Sequence, residues 1–147
     1  MKTVIFACVQ NAGRSQMAAE LFNQLANPAL AHAVSAGTRP ASHVHPEVVI
    51  AMQEVSIDVS AAKPKLLTPE LVAGAYLLIT MGCGDQCPIA PGSLRDDWAL
   101  EDPKGRPIAQ VRQIRDAIGL RVRVLIEREG WALTGRDRPV SNPQRIR

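Results

Sequence analysis

Near the start of the chain a short apolar run, Val4 to Phe6, leads into Cys8-Val9-Gln10-Asn11-Ala12-Gly13-Arg14-Ser15, and a helical pattern follows at once. Met17, Leu21 and Leu25 recur at helical spacing with Ala18 and Phe22 beside them, until Pro28 stops the pattern. Strand, small-residue loop and helix in this order constrain the fold more than any other feature, because they hold the loop's backbone against a helix amino end. Cys8 and Arg14 frame a five-residue turn in which Ala12 and Gly13 lack the bulk that would keep N–H groups from converging. Such a nest binds tetrahedral oxyanions. The candidate cradle is therefore the backbone of Val9, Gln10, Asn11, Ala12, Gly13, Arg14 and Ser15 together with the Arg14 guanidinium. The same dipoles, the Ser15 hydroxyl and the arginine favour a thiolate at Cys8, the nucleophilic form of the residue. The plainer alternative, a buried structural cysteine beside a helix-capping serine, leaves the order of strand, loop and helix unexplained.

With 147 residues, 46% of them hydrophobic and 21% charged, the chain has the size and composition of one domain with a real core. The segment before the loop is too short for a signal-peptide core, and the longest uncharged run, Leu71 to Gly84, is too short to span a bilayer. No membrane association is expected, and a cytoplasmic location is. Three cysteines, one inside an anion loop, suit a reducing compartment where thiols do chemistry better than a secreted disulfide scaffold. The net charge of +3 raises the question of nucleic acid. Late in the chain, however, Ile108, Val111, Ile114, Ile118, Val122 and Leu125 form a helical stripe, with Arg112, Arg115, Arg121, Arg123 and Arg128 largely off it. A solvated helix face explains those arginines. At 3% aromatic content there is little for base stacking, so no nucleic-acid partner is expected.

Strand and helix signals alternate along the chain. Ala31 to Ala36 is a strand candidate ending in the Gly37-Thr38-Arg39-Pro40 turn. Pro46-Glu47 opens a helix through Val55, Thr68-Pro69-Glu70 opens a short third one, and Ala75 to Thr80 is the most strand-like run. A Gly- and Pro-rich loop, Met81 to Gly92, comes next; Asp97 to Leu100 is the last strand candidate, and a long helix runs from about Pro107 to Glu129. The pattern predicts a single-domain α/β fold, an open parallel four-stranded sheet with helices on both faces, over residues 1–131, with a loose tail over 132–147. Ligands then sit at the carboxyl ends of the strands, where the Cys8 loop lies.

Cys83 and Cys87 follow the third strand candidate directly and therefore belong to the same sheet edge as Cys8. Redox-active thiols, metal ligands and buried small hydrophobes all remain open for the pair. Zinc normally takes four N or S ligands, and His32, His43 and His45 lie far upstream without a paired pattern, so redox use is favoured and no metal is expected. Four-residue helical spacing holds Cβ atoms about 5 to 6 Å apart, wider than a disulfide needs, so bonding the two requires local unwinding that Gly82, Gly84 and Pro88 permit. Asp102, on a stiffened Glu101-Asp102-Pro103 loop after a strand candidate, is placed to donate a proton to a departing oxygen; a turn residue before proline is the competing explanation. His43 and His45 flank a helix start and are expected to cap or pack there.

Together these segments resemble the thioredoxin-recycled arsenate reductases built on the low-molecular-weight protein tyrosine phosphatase fold. The resemblance spans roughly residues 2–130 and rests on the Cys8 to Ser15 loop with Gln16-Met17-Ala18, Ser35-Ala36-Gly37-Thr38, Ile57-Asp58-Val59-Ser60, Thr80-Met81-Gly82-Cys83 and Trp98 to Pro103. It implies reduction of arsenate to arsenite by a relay from Cys8 to Cys83 to Cys87, with Arg14 binding the anion, Asp102 as proton donor and phosphate or sulfate as competing anions. It also implies no bound cofactor, thioredoxin as electron donor, and a monomer. Only Gly84, Asp85 and Gln86 separate the last two cysteines, closer than in many thioredoxin-coupled relatives and similar to actinobacterial ones, some of which use mycothiol. Asn11 matches a potassium-binding position of some relatives, whereas Ala19 replaces the expected Glu. The main alternative is a tyrosine phosphatase, for which Cys8, Arg14 and Asp102 would serve equally. The acid loop reads Asp102-Pro103-Lys104-Gly105, with no aromatic residue to wall a phenyl ring, and the other two cysteines would have no task. A sensor that binds the anion without turnover would have no use for Asp102.

Overall fold

The computed structural model describes residues 1–82 and 94–133. Cys83 and Cys87 lie outside the described residues, as does the expected tail from residue 134 onward. The elements are β1 (Lys2–Cys8), α1 (Arg14–Leu25), β2 (Ala31–Gly37), α2 (Pro46–Gln53), α3 (Pro69–Ala73), β3 (Leu77–Thr80), β4 (Leu94–Asp97) and α4 (Ile108–Glu129). Among the described residues the four strands pair in parallel, in the order β2-β1-β3-β4. The expected four-stranded parallel sheet is the one observed.

β1 is buried from Val4 to Cys8, as a central parallel strand covered on both faces must be. Alternate residues serve different layers. Val4, Phe6 and Cys8 join the larger core with Met17 and Phe22 of α1, Val48 and Met52 of α2, and the predicted stripe of α4, whereas Ile5 and Ala7 join Leu67, Val72 of α3 and Leu78 on the opposite face. The chain's two Phe, two Trp and one Tyr form one run of ring contacts, Trp98–Phe6–Phe22–Trp131–Tyr76, with centroids 5.5 to 6.1 Å apart. Burying a ring such as Phe6 or Phe22 contributes about 2 to 3 kcal/mol, so the few aromatics are engaged in the core.

The last strand differs from expectation. It spans Leu94–Asp97 instead of Asp97 to Leu100, and its residues are largely exposed. The Trp98 N–H makes a 2.8 Å bond to the Thr80 carbonyl, and the ring then turns into the core, 5.5 Å from Phe6. Trp98 and Leu100 are apolar because they pack on the core after the chain has left the sheet. A short, charged edge strand carries no apolar run to betray it. The arginines of α4 also depart from a simple solvated face, since Arg112 and Arg115 both bond Glu54 at the end of α2.

The order places β2 on one side of β1 and β3 on the other, so connections leave β1 in opposite directions. A crevice opens at such a switch point beyond the carboxyl ends of the strands. The Cys8 loop fills that crevice.

Candidate active site

β1 ends at Cys8, whose side chain is buried. Beyond it the carbonyls of Cys8, Val9, Gln10 and Ala12 accept hydrogen bonds from the N–H groups of Thr38, Arg39, Ala41 and His45 at 3.2, 2.8, 2.9 and 2.9 Å. The Gly13 carbonyl accepts from Met17 and begins the α1 ladder. In a planar trans peptide the following N–H points the opposite way, so the amides of Val9, Gln10, Asn11, Gly13 and Arg14 turn away from these partners. One of them shows where they aim: the Asn11 N–H donates to Cys8 Sγ at 3.3 Å. Gly13 at the N-cap offers no side chain to the first amides of α1, so that helix end is open to an anion.

Asn11 locks the loop. Its backbone is left-handed, φ 52°, and the residue is fully buried. Its Oδ1 accepts from the Lys65 N–H at 3.0 Å and from Gln16 Nε2 at 3.3 Å, and Gln16 Nε2 also donates to its backbone carbonyl. The side-chain amide therefore turns Nδ2 toward Ser15 Oγ, 2.8 Å away. With that oxygen accepting from Asn11, the Ser15 hydroxyl proton is free for Cys8 Sγ at 2.9 Å. Two donors thus meet the sulfur, the arrangement that stabilises a thiolate. Ser15 works inside the first turn of α1 and does not cap it.

Arg14 is held across the sheet edge. Its Nη1 donates to the Leu100 carbonyl at 3.0 Å, and its Nη2 lies 3.7 Å from Asp102 Oδ2. Among the described residues, buried Arg14 Nε has no hydrogen-bond partner. A guanidinium fixed at one end and unsatisfied at Nε is prepared for an oxyanion. Gly82, φ +107°, makes room for it, since a Cβ there would lie 2.5 Å from Nη1. The Asp102 loop is seated by Pro103, whose Cγ lies 2.8 Å from where a Cβ on Gly13 would be. Asp102 Oδ1 accepts from the Lys104 N–H, and its side chain stays 54% exposed. So exposed a pair with Arg14 contributes about 1 kcal/mol or less; its effect is to hold the carboxylate at the cavity mouth.

The cavity, about 300 Å³, is lined by Cys8, Val9, Gln10, Ala12, Gly13 and Arg14 of the loop, with His45, Gly82, Asp102 and Lys104 around them. Cys8, Arg14 and Asp102 thus share one site, while Asn11 and Ser15 stand behind it. Of the capping or packing expected of His45, the structure shows packing at the cavity. Its side chain does not cap α2; the residue lines the cavity, and its ring Cδ2 lies 3.4 Å from where a Cβ on Gly13 would be. Burial pushes this imidazole below the usual histidine range, the Asp102 charge opposes that shift and Lys104 reinforces it. Its position at a helix start after β2, on the carboxyl edge of the sheet, was the available signal.

A buried thiol inside a ring of amides and a guanidinium, at the switch point of a parallel sheet, defines a cysteine-based oxyanion site. The chain belongs to the low molecular weight phosphotyrosine protein phosphatase family, whose model matches residues 3–130. It is 33% identical over 121 residues to arsenate reductase 2 of Staphylococcus epidermidis, covering 80% of this chain and 90% of that protein. Its structure resembles a thioredoxin-dependent arsenate reductase of Corynebacterium glutamicum, with TM-score 0.74, 38% identity and 86% of this chain covered; the chain spans 61% of that longer chain. It also resembles an arsenate reductase of Archaeoglobus fulgidus, with TM-score 0.74, 28% identity and coverage of 84% and 98%.

Proposed function

We propose that this protein is an arsenate reductase using three cysteines in sequence, recycled by thioredoxin. The observation that carries the reading is Gly82: it lines the Cys8 cavity, packs on Arg14, and is followed in sequence by Cys83. A second thiol next in sequence to that residue has a use in reduction and none in phosphate-ester hydrolysis. In the proposed reaction the Cys8 thiolate bonds arsenic while arsenate is held by the loop amides and Arg14. One oxygen leaves as water on a proton from Asp102. Cys83 thiolate then attacks Cys8 sulfur; the sulfur–arsenic bonding pair stays with arsenic, arsenite departs in the +3 state, and a Cys8–Cys83 disulfide remains. Cys87 attacks Cys83, freeing Cys8, and the resulting Cys83–Cys87 disulfide is reduced by an external dithiol. A reducing cytoplasm supports this cycle.

The test is arsenate-dependent NADPH oxidation with purified thioredoxin and thioredoxin reductase. Turnover that ceases without thioredoxin is expected, and Cys87→Ser should release one arsenite per molecule and trap a Cys8–Cys83 disulfide, read by peptide mass. Turnover with mycothiol alone would reassign the reductant. The same three groups, Cys8, Arg14 and Asp102, suit phosphoryl transfer through a cysteinyl phosphate. Efficient hydrolysis of para-nitrophenyl phosphate, indifferent to Cys87→Ser and with no arsenate reduction, would establish that second reading.

A further inference from the structure

His45 is a cavity-lining residue for which the proposed relay has no use. Its backbone is fixed at both ends, N–H to the Ala12 carbonyl at 2.9 Å and carbonyl to the N–H groups of Val48 and Val49 at 3.0 and 3.1 Å. The residue's backbone is therefore tied directly to the anion loop. The ring Cδ2 lies 3.4 Å from where a Cβ on Gly13 would be, against the helix end where a tetrahedral anion would sit. We propose that His45 is a further binding residue of the oxyanion site, its imidazolium form supplying a charge to a bound dianion in addition to that of Arg14.

The ionisable groups around the ring decide how it responds. Asp102 and Lys104 face it from the acid loop, Glu47 from its own helix and His43 from the preceding turn, while Cys8 and Arg14 share the cavity. Burial, opposed by Asp102 and Glu47 and aided by Lys104 and His43, holds the ring below the usual histidine range. A dianion beside the ring changes that balance and draws a proton onto it. By reciprocity, protonating the ring must strengthen anion binding by the same factor.

Sulfate is the suitable probe, because it remains a dianion where phosphate and arsenate change charge. Its half-protective concentration against iodoacetamide alkylation of Cys8, followed by peptide mass in the full chain, should fall by about tenfold from pH 7.5 to 5.5. His45→Gln should lose most of that gain, and His43→Gln, at an exposed ring bonded to Ser42, should retain it. In the wild type, saturating sulfate should raise the pH at which the assigned His45 ring resonance titrates by about one unit, the counterpart of a tenfold gain. A His45→Gln protein whose gain at pH 5.5 stays within twofold of wild type overturns the proposal, as does a His45 titration that sulfate leaves unmoved. The ring titration needs no variant, so a poorly folded His45→Gln leaves the question decidable. Because no turnover is involved, failure of arsenate reduction alongside normal sulfate binding would count against the proposed function alone.

Discussion

Asn11 ties the site together from behind the cavity. It combines a left-handed backbone, complete burial and an amide that orients Ser15 toward Cys8 while accepting from Lys65 and Gln16. Asn11→Ala strands those partners and forces a Cβ residue without local hydrogen bonds into φ 52°. It should cost about 2 to 4 kcal/mol in urea unfolding. Asn11→Gly, which keeps the conformation and loses the amide, should recover about 1 kcal/mol of that, yet both should slow Cys8 alkylation alike. At this scale the grouping of Cys8, Arg14 and Asp102 in one cavity was legible because residue type and spacing point to it. The buried hydrogen bonds of Asn11 and the place of His45 on the cavity were not. Asn11 acts through partners as distant in sequence as Lys65, and His45 reaches the cavity only because its N–H docks on the Ala12 carbonyl.

Between elements, two joints transmit position to the site. The first is the end of β3, where Gly82 yields to the Arg14 guanidinium. Gly82→Ala combines a disfavoured φ of +107° with a 2.5 Å clash, so it should displace Arg14 and weaken phosphate protection of Cys8 by tenfold or more, a loss of about 1.4 kcal/mol. The second joint ties α2 to α4 through Glu54, which accepts from Arg112 Nε and Nη2 and from Arg115 Nη1, while Arg115 also reaches the Ala51 carbonyl. Hydrogen bonds from Arg112, opposed by burial and aided by Arg115, hold the Glu54 carboxyl below its ordinary value of 4.5. A carboxylate lowered on folding stabilises fully above that value and loses its contribution as pH falls through the folded one. The urea midpoint of Glu54→Gln should therefore trail wild type at pH 7 and converge on it below pH 4.5. Element types followed from periodicity, caps and prolines. β4 was misplaced because an exposed edge strand needs no apolar alternation, and the apolar Trp98 and Leu100 beyond it pack on the core.

For the whole molecule, the strand order β2-β1-β3-β4 opens its crevice where the chain places its anion loop, so sheet and site are one construction. That order was expected only as a parallel sheet, since alternation of strands and helices says nothing about which neighbour each strand takes. Filling the site should stabilise the entire domain. Phosphate at a hundred times its dissociation constant adds about 2.7 kcal/mol, or about 5 to 10 °C in Tm for a chain of 147 residues. Arg14→Lys, which gives up the planar fork, should lose more than half of that rise at the same phosphate concentration. The carbonyls behind the loop carry a last consequence. Because Thr38, Arg39, Ala41 and His45 already hold them, the amides stand ready for any tetrahedral anion and require little rearrangement to accept one. Such a mould is indifferent to whether phosphorus or arsenic lies at the centre, and in a cell rich in phosphate it would be occupied by the wrong anion most of the time. On the proposed reading, selection then falls after binding: both anions enter, and only the one whose central atom accepts the sulfur's electron pair leaves changed.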